Sequence, residues 1–140
     1  MTIKEIQEEI IDEFSMFDDW MERYEYIIEL GKSLPLIDET YKKDENLIVG
    51  CQSKVWLHSE IKDQKINFTA DSDAILTKGI VAILLRVFNK QTPAAILDAD
   101  LFFIDKIGLK EHLSPTRANG LVSMIKQIKL YALAFQSKLS

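Results

Sequence analysis

The stretch from Ala74 to Phe88 constrains this chain more than any other part of it. Residues 80–85 read Ile-Val-Ala-Ile-Leu-Leu without a polar interruption. A helix over 74–88 is therefore apolar nearly all round its middle turns, and such a helix is stable only where neighbours cover every side. It cannot cross a bilayer instead, because the longest apolar run, Ile80 to Leu85, is far short of the roughly 20 residues a span needs. The rest of the chain must wrap this helix. A length of 140 residues suffices for that and predicts a single domain over 1–140.

The wrapping elements can be read from the flanks. Apolar residues at Ile3, Ile6, Ile10 and Phe14 predict a first amphipathic helix. A second runs from about Trp20 to Leu30, with Asp19 as its cap, Glu22 in capping-box spacing and Gly31 at its end. Its inward stripe is Trp20, Tyr24, Ile27 and Leu30, and residues 32–46 read as loop. The period then changes to two. Val55, Leu57, Ser59 and Ile61 alternate with Trp56, His58 and Glu60, and the polar turn 62–65 leads into Ile66, Phe68 and Ala70. This predicts a β-hairpin with a short third strand near 47–49 before it. Asp71-Ser72-Asp73 offers N-cap oxygens to the central helix. Thr92-Pro93 and Ser114-Pro115 each place a cap before a proline at the first helical position. Between them, 100–108 suggests a brief strand and a helical turn. The last helix carries Leu121, Met124, Ile125, Ile128, Ala132 and Phe135 on one face. The expected fold is α+β, with several helices packed on a small three-stranded antiparallel sheet.

Charge limits the partners. A net charge of -5 argues against nucleic acid. The charge is also uneven: residues 1–30 hold ten acids against Lys4 and Arg23, whereas Arg117, Lys126, Lys129 and Lys138 stand in a C-terminal stretch without acids. These are solvated helix faces or a charge-complementary docking surface. The acidic, amphipathic start is not a secretory signal, so no membrane role and a cytoplasmic location are expected.

Cys51 is the only cysteine, which rules out an internal disulfide, a Cys-x-x-Cys pair or a Cys₄ zinc site. Sulfur chemistry here must involve a second molecule. A free cysteine is ordinarily a small buried hydrophobe. The neighbours argue otherwise: Gly50 permits unusual backbone, Gln52 and Ser53 are poor core residues, and Lys54 adds positive potential. A polar, glycine-bearing loop before a strand is where reactive thiols occur. His58 reads as a solvated strand histidine and His112 as a loop residue. No metal site is expected, since no two of Cys51, His58 and His112 show ligand spacing. Arg117 sits at the third helical position after Ser114, where the helix dipole disfavours a cation, and Asn119-Gly120 weakens the same helix. Such clustered local conflicts mark either function or, at Gly120, close packing. No glycine-rich phosphate loop, zinc-protease motif or nucleophile elbow is present.

Residues 49–56, Val-Gly-Cys-Gln-Ser-Lys-Val-Trp, resemble the cysteine motif of the SufE family of sulfur acceptors. The resemblance extends to 26–31, to Asp71-Ser72-Asp73-Ala74 with Lys78-Gly79, and to 113–117 with Gly120-Leu121. It implies an α+β fold similar to scaffold proteins of the IscU type. It implies a sulfur acceptor and carrier that takes persulfide sulfur onto Cys51 from a PLP-dependent, SufS-like cysteine desulfurase. The carrier would stimulate that enzyme and deliver sulfur to an iron–sulfur scaffold, with no cofactor of its own. Gly50, Gln52 and Ser53 would form the active loop, and Asp73 and Arg117 would lie near the desulfurase. A weak homodimer is compatible with the resemblance. The alternative from another class is a redox-sensing protein that uses Cys51 as a thiol switch. If Cys51 carries persulfide, shelter under apolar cover, against Trp56 or the central helix, would protect it.

Overall fold

The computed structural model describes residues 1–139. Helix α1 spans Ile3–Phe14, and its buried face is Ile3, Ile6, Ile10 and Phe14, as the spacing predicts. Thr2 and Glu5 close it with a capping box, each backbone N–H donating to the other's side chain at 2.9 and 3.1 Å. Helix α2 spans Trp20–Leu30, and Asp19 accepts from Glu22 N–H at 2.9 Å. Of its expected inward stripe only Ile27 is fully buried; Trp20, Tyr24 and Leu30 are half-covered. The following loop is tightened by 3₁₀ turns at Gly31–Ser33, Glu39–Tyr41 and Asp44–Asn46.

Strands β1, Val55–Lys62, and β2, Lys65–Ser72, pair antiparallel from Val55↔Ser72 to Lys62↔Lys65. Asp63 and Gln64 both take positive φ, 53° and 65°, which matches the twist of a two-residue hairpin turn. Helix α3, Ile75–Phe88, is followed by α4, Pro93–Asp98, α5, Phe103–Lys106, and α6, Pro115–Leu139. Thr92 caps α4 through Ala95 N–H at 3.2 Å.

The α+β architecture is as expected, but three local expectations are not met. The sheet has two strands, not three. The segment near 47–49 makes one isolated bridge, Leu47↔Trp56, with Ile48 N–H donating to Val55 O at 2.9 Å. It can extend no further because the Asp44–Asn46 turn ends immediately before it and Gly50, at φ 98°, redirects the chain immediately after. Second, 100–108 holds no strand. The buried side chain of Gln7 satisfies that backbone instead, donating to Asp100 O at 3.0 Å and accepting from Phe103 N–H at 3.1 Å. Third, the oxygens of 71–73 do not cap α3: its N-cap is Ala74, with no side-chain cap.

Helix α3 is the centre of the fold. Its residues from Gly79 to Leu85, with Thr77, Val87 and Phe88, are all buried. The hairpin's inner face (Val55, Leu57, Ile66, Phe68, Ala70) and the α6 stripe Leu121, Met124, Ile128 and Ala132 belong to the same buried cluster. The crossing with α2 is the tightest contact. A Cβ on Gly79 would stand 2.1 Å from the Ile27 carbonyl oxygen, and one on Gly31 would stand 3.1 Å from Gly79 N. Gly31 therefore matters less as a helix terminator, since its φ is -60°, than as a surface against which Gly79 lies. Arg86 ties α3 to α1 through Glu13 and Glu9.

Gly79→Ala cannot be absorbed by a side-chain rotation, because the obstructing atom belongs to backbone. Overpacking of this kind costs about 3 kcal/mol. Chemical denaturation should show a loss of that size, while Ala82→Gly, one turn on, should cost only about 1 kcal/mol plus its lost contacts.

Candidate functional site

The hairpin, α3 and α6 meet at the segment that carries Cys51. Residues 49–54 form a short tip, closed at its base by the Ile48–Val55 hydrogen bond. Two contacts fix the tip. Gly50 is pressed onto α6: its φ of 98° excludes other residues, and a Cβ there would meet Ser123 Oγ at 2.4 Å. On the other side, Asp73 Oδ1 accepts from Lys54 N–H at 3.0 Å and Asp73 N–H donates to Lys54 O at 3.2 Å. The Asp73 carboxylate thus replaces the next carbonyl of the ladder and stops the hairpin where the cysteine tip begins. This is why it does not cap α3.

The neighbouring acids and hydroxyls are used nearby. Ser72 Oγ accepts from Ala74 N–H at 3.2 Å. Asp71 holds Lys42 at 3.0 Å and Lys78 at 3.4 Å. Burial penalises its charge, but the Lys42 hydrogen bond, the Ser72 N–H and the Lys78 charge outweigh that and hold its carboxyl below the ordinary value. Lys42 also lies 4.8 Å from the centre of the Trp56 ring.

Cys51 is half-buried and points at α6, its Sγ lying 3.6 Å from the Gly120 carbonyl oxygen. Burial pushes its thiol pKa up. Beside it lies a pocket of about 200 Å³. The tip contributes Cys51, Gln52 and Ser53; α3 contributes Thr77 and Ile80; and Ser114 is joined by Thr116, Arg117, Gly120 and Met124 from the first turns of α6. The cover is thus the central helix and α6. Space alone does not demand glycine at 120, since a Cβ would make ordinary contact with Sγ at 3.5 Å.

Of the residues singled out from sequence, Cys51, Gln52, Ser53 and Arg117 share this pocket. Gly50 and Asp73 stand outside its lining and hold the tip from either side. Arg117 is exposed at the third position of α6, where Ser114 Oγ accepts its N–H at 3.3 Å. Its unfavourable place in the helix puts a cation at the pocket mouth. His58 has no part in the site: it stacks on Tyr41 at 3.8 Å and pairs with Glu60 at 3.1 Å. His112 stacks on Trp20 at 3.9 Å. Thr77 and Met124 are pocket residues that the sequence reading does not single out. Neither is distinguishable in sequence: Met124 falls on the core stripe of α6, and Thr77 on a helix that also carries Lys78 and Arg86. Among the described residues no three His, Cys, Asp or Glu side chains converge as a metal site, and no helix is long and apolar enough to cross a membrane.

Comparison with known proteins places this geometry. The SufE family model, described as an Fe–S metabolism associated domain, matches residues 8–132. The chain belongs to the SufE family. It is similar to an uncharacterised SufE-like protein of Rhizobium meliloti, 46% identical over 127 residues, which are 87% of this chain and 91% of that one. A second SufE-like protein, of Rhizobium etli, is 44% identical and covers 87% of this chain and 86% of its own. The fold resembles the solution structure of a hypothetical protein from Thermus thermophilus, with a TM-score of 0.78 over 94% of this chain and 96% of that one, at 16% identity. Membership of SufE assigns the chain to iron–sulfur metabolism.

The buried thiol gives a test by pH. Because the folded pKa of Cys51 is raised, the thiol stays protonated at pH values where a free cysteine begins to ionise. Its alkylation should lag behind a small free thiol at neutral pH, with a midpoint shifted upward. The same sign applies to stability: Cys51's contribution is complete below the unfolded thiol's pKa and is lost as pH rises through the folded value. Asp73→Ala releases one side of the tip and should speed alkylation at pH 7 while costing about 1 kcal/mol in stability.

Proposed function

We propose that this protein is a sulfur acceptor and carrier. It takes the outer sulfur of a persulfide from a PLP-dependent, SufS-like cysteine desulfurase onto Cys51. It stimulates that enzyme by clearing its cysteine, and it passes the sulfur to an iron–sulfur scaffold. The observation that carries the reading is the placement of the sole cysteine. In a SufE-family chain, it lies at the tip of a short loop held from two sides, beside a small pocket. The PLP belongs to the partner, and the carrier's own chemistry requires no cofactor.

The transfer is thiol exchange. The Cys51 thiolate attacks the outer sulfur of the donor persulfide, the new S–S bond forms at Cys51, and the donor cysteine leaves as thiolate. No net oxidation occurs, since the sulfane sulfur moves and two thiols exchange places. An ordinary thiol of pKa about 8.5 is roughly 3% ionised at pH 7. Lowering the pKa to about 7 would multiply the thiolate roughly 15-fold, but the accompanying loss of nucleophilicity leaves only about 3-fold. Orientation in a partner's active site is worth orders of magnitude more. A resting thiol that burial makes less acidic therefore loses little, provided that docking lifts the tip. Val49, 90% exposed beside the cysteine, and Ile75, 68% exposed next to Asp73, offer apolar contact for such docking.

The alternative, a redox sensor, calls for an accessible, acidic thiol. The half-burial and raised pKa of Cys51 weigh against it.

Cys51→Ser tests the reading. In a cysteine desulfurase assay with PLP and cysteine, the wild-type protein should raise sulfide release and Cys51→Ser should not. The melting temperatures should agree within the small shift expected of a near-isosteric change. Equal stimulation by the serine variant would refute direct acceptance.

A further inference from the structure

The Cys51 pocket has one buried polar side chain whose hydroxyl makes no hydrogen bond within the fold. Thr77 is only 6% exposed and lines the pocket. Two nearby hydroxyls are engaged: Ser72 receives Ala74 N–H, and Ser114 receives Arg117 N–H. Among the described residues the Thr77 hydroxyl has no hydrogen-bond partner, and it is not a sealed, unsatisfied atom. Its remaining open surface is therefore towards the pocket. A hydroxyl that is unpartnered within the fold, on a residue this buried, is a donor available to whatever enters the pocket.

The surroundings say what that is. The pocket that Thr77 lines is also lined by Cys51 and by the apolar side chains of Ile80 and Met124. The first turn of α6, bearing Arg117, lines it too. Thr77 is the third residue of α3, whose Ala74 cap supplies no side-chain acceptor. The set comprises a hydroxyl donor, a cation and apolar side chains around one pocket that Cys51 also lines. It fits a small, soft, partly anionic atom attached to the cysteine.

We propose that the Thr77 hydroxyl seats the outer sulfur of a Cys51 persulfide, donating a hydrogen bond to it inside the pocket. The inference rests on the carrier reading and adds a sulfur-binding residue to it. The persulfide is more acidic than the thiol, so its outer sulfur carries negative charge at a pH where the Cys51 thiol does not, and a hydroxyl donor and the Arg117 cation lining the same pocket favour that charge. Loaded protein is thereby held in the sheltered state and empty protein is free to dock again. No covalent step occurs at Thr77: it donates its proton in a hydrogen bond and keeps it.

The test loads the full-length protein with inorganic polysulfide, so that it does not depend on any desulfurase. The intact mass should rise by one sulfur atom, and the loss of that sulfur to cyanide is then timed. Thr77→Val keeps the shape and removes the donor; Thr77→Ser restores it. Thr77→Val should lose sulfur about tenfold faster than wild type, and Thr77→Ser should stay within about twofold of it. The alkylation rate of unloaded Cys51 should be the same in all three. Equal persulfide lifetimes would overturn the proposal. So would a parallel increase in thiol alkylation in Thr77→Val, which would mean general loosening of the tip. A chemically loaded protein that obeys these rates yet gains no sulfur from a desulfurase would uphold the Thr77 seat and refute the carrier reading.

Discussion

The approach of α2 to α3 at Gly79 is the contact on which the rest of the structure depends. A carbonyl oxygen of Ile27 occupies the space a side chain would take, and Gly31 lies against the same point. This lets two helices touch through backbone and fixes α3 in depth. The hairpin and α6 then cover its remaining sides. The buried stretch that makes α3 central also makes its first turns a rigid wall, and that wall carries Thr77 and Ile80 into the cysteine pocket. The site is therefore built on the most deeply buried helix of the fold, although the reactive atom sits on one of its loops.

The loop is restrained without being embedded. Ile48–Val55 closes its base, Gly50 rests on Ser123, and Asp73 binds Lys54. Each is a small interaction, a hydrogen bond net of water being worth about 1 kcal/mol. A partner can release the tip at a cost its own contacts can offset, whereas releasing α3 would dissolve the core. The division fits a thiol that is delivered to a partner and not activated in place. Burial raises its pKa, and no imidazole is near enough to act as a base: His58 is engaged with Tyr41 and Glu60, and His112 with Trp20.

Much of the fold is legible in the sequence because it rests on local rules. The period-two run marks the hairpin, the apolar run marks α3, and Asp19, Thr92 and Ser114 mark helix starts, all of which depend on near neighbours along the chain. The departures involve distant partners. Residues 47–49 have the composition of a third strand, but Gly50 turns the chain onto α6. The strand expected near 100 is displaced by Gln7, some ninety residues away. Asp73 has the position of a cap but serves Lys54, an exchange that only the hairpin register reveals. At the site, Cys51 and its flanking residues stand out by composition, and Arg117 by its conflict with the helix dipole. Thr77 does not, because a single threonine in a helix has many ordinary explanations until its hydroxyl is found without a partner.

The central claim is that Cys51 receives sulfur from a partner's persulfide. A single-turnover reaction measures this directly: a desulfurase carrying one persulfide is mixed with this protein, and the intact masses of both chains are followed. The account predicts that one sulfur atom leaves the desulfurase as one appears on this chain, at Cys51, and that a reductant removes it. A desulfurase that keeps its sulfur, or a chain that gains only oxygen, would contradict it.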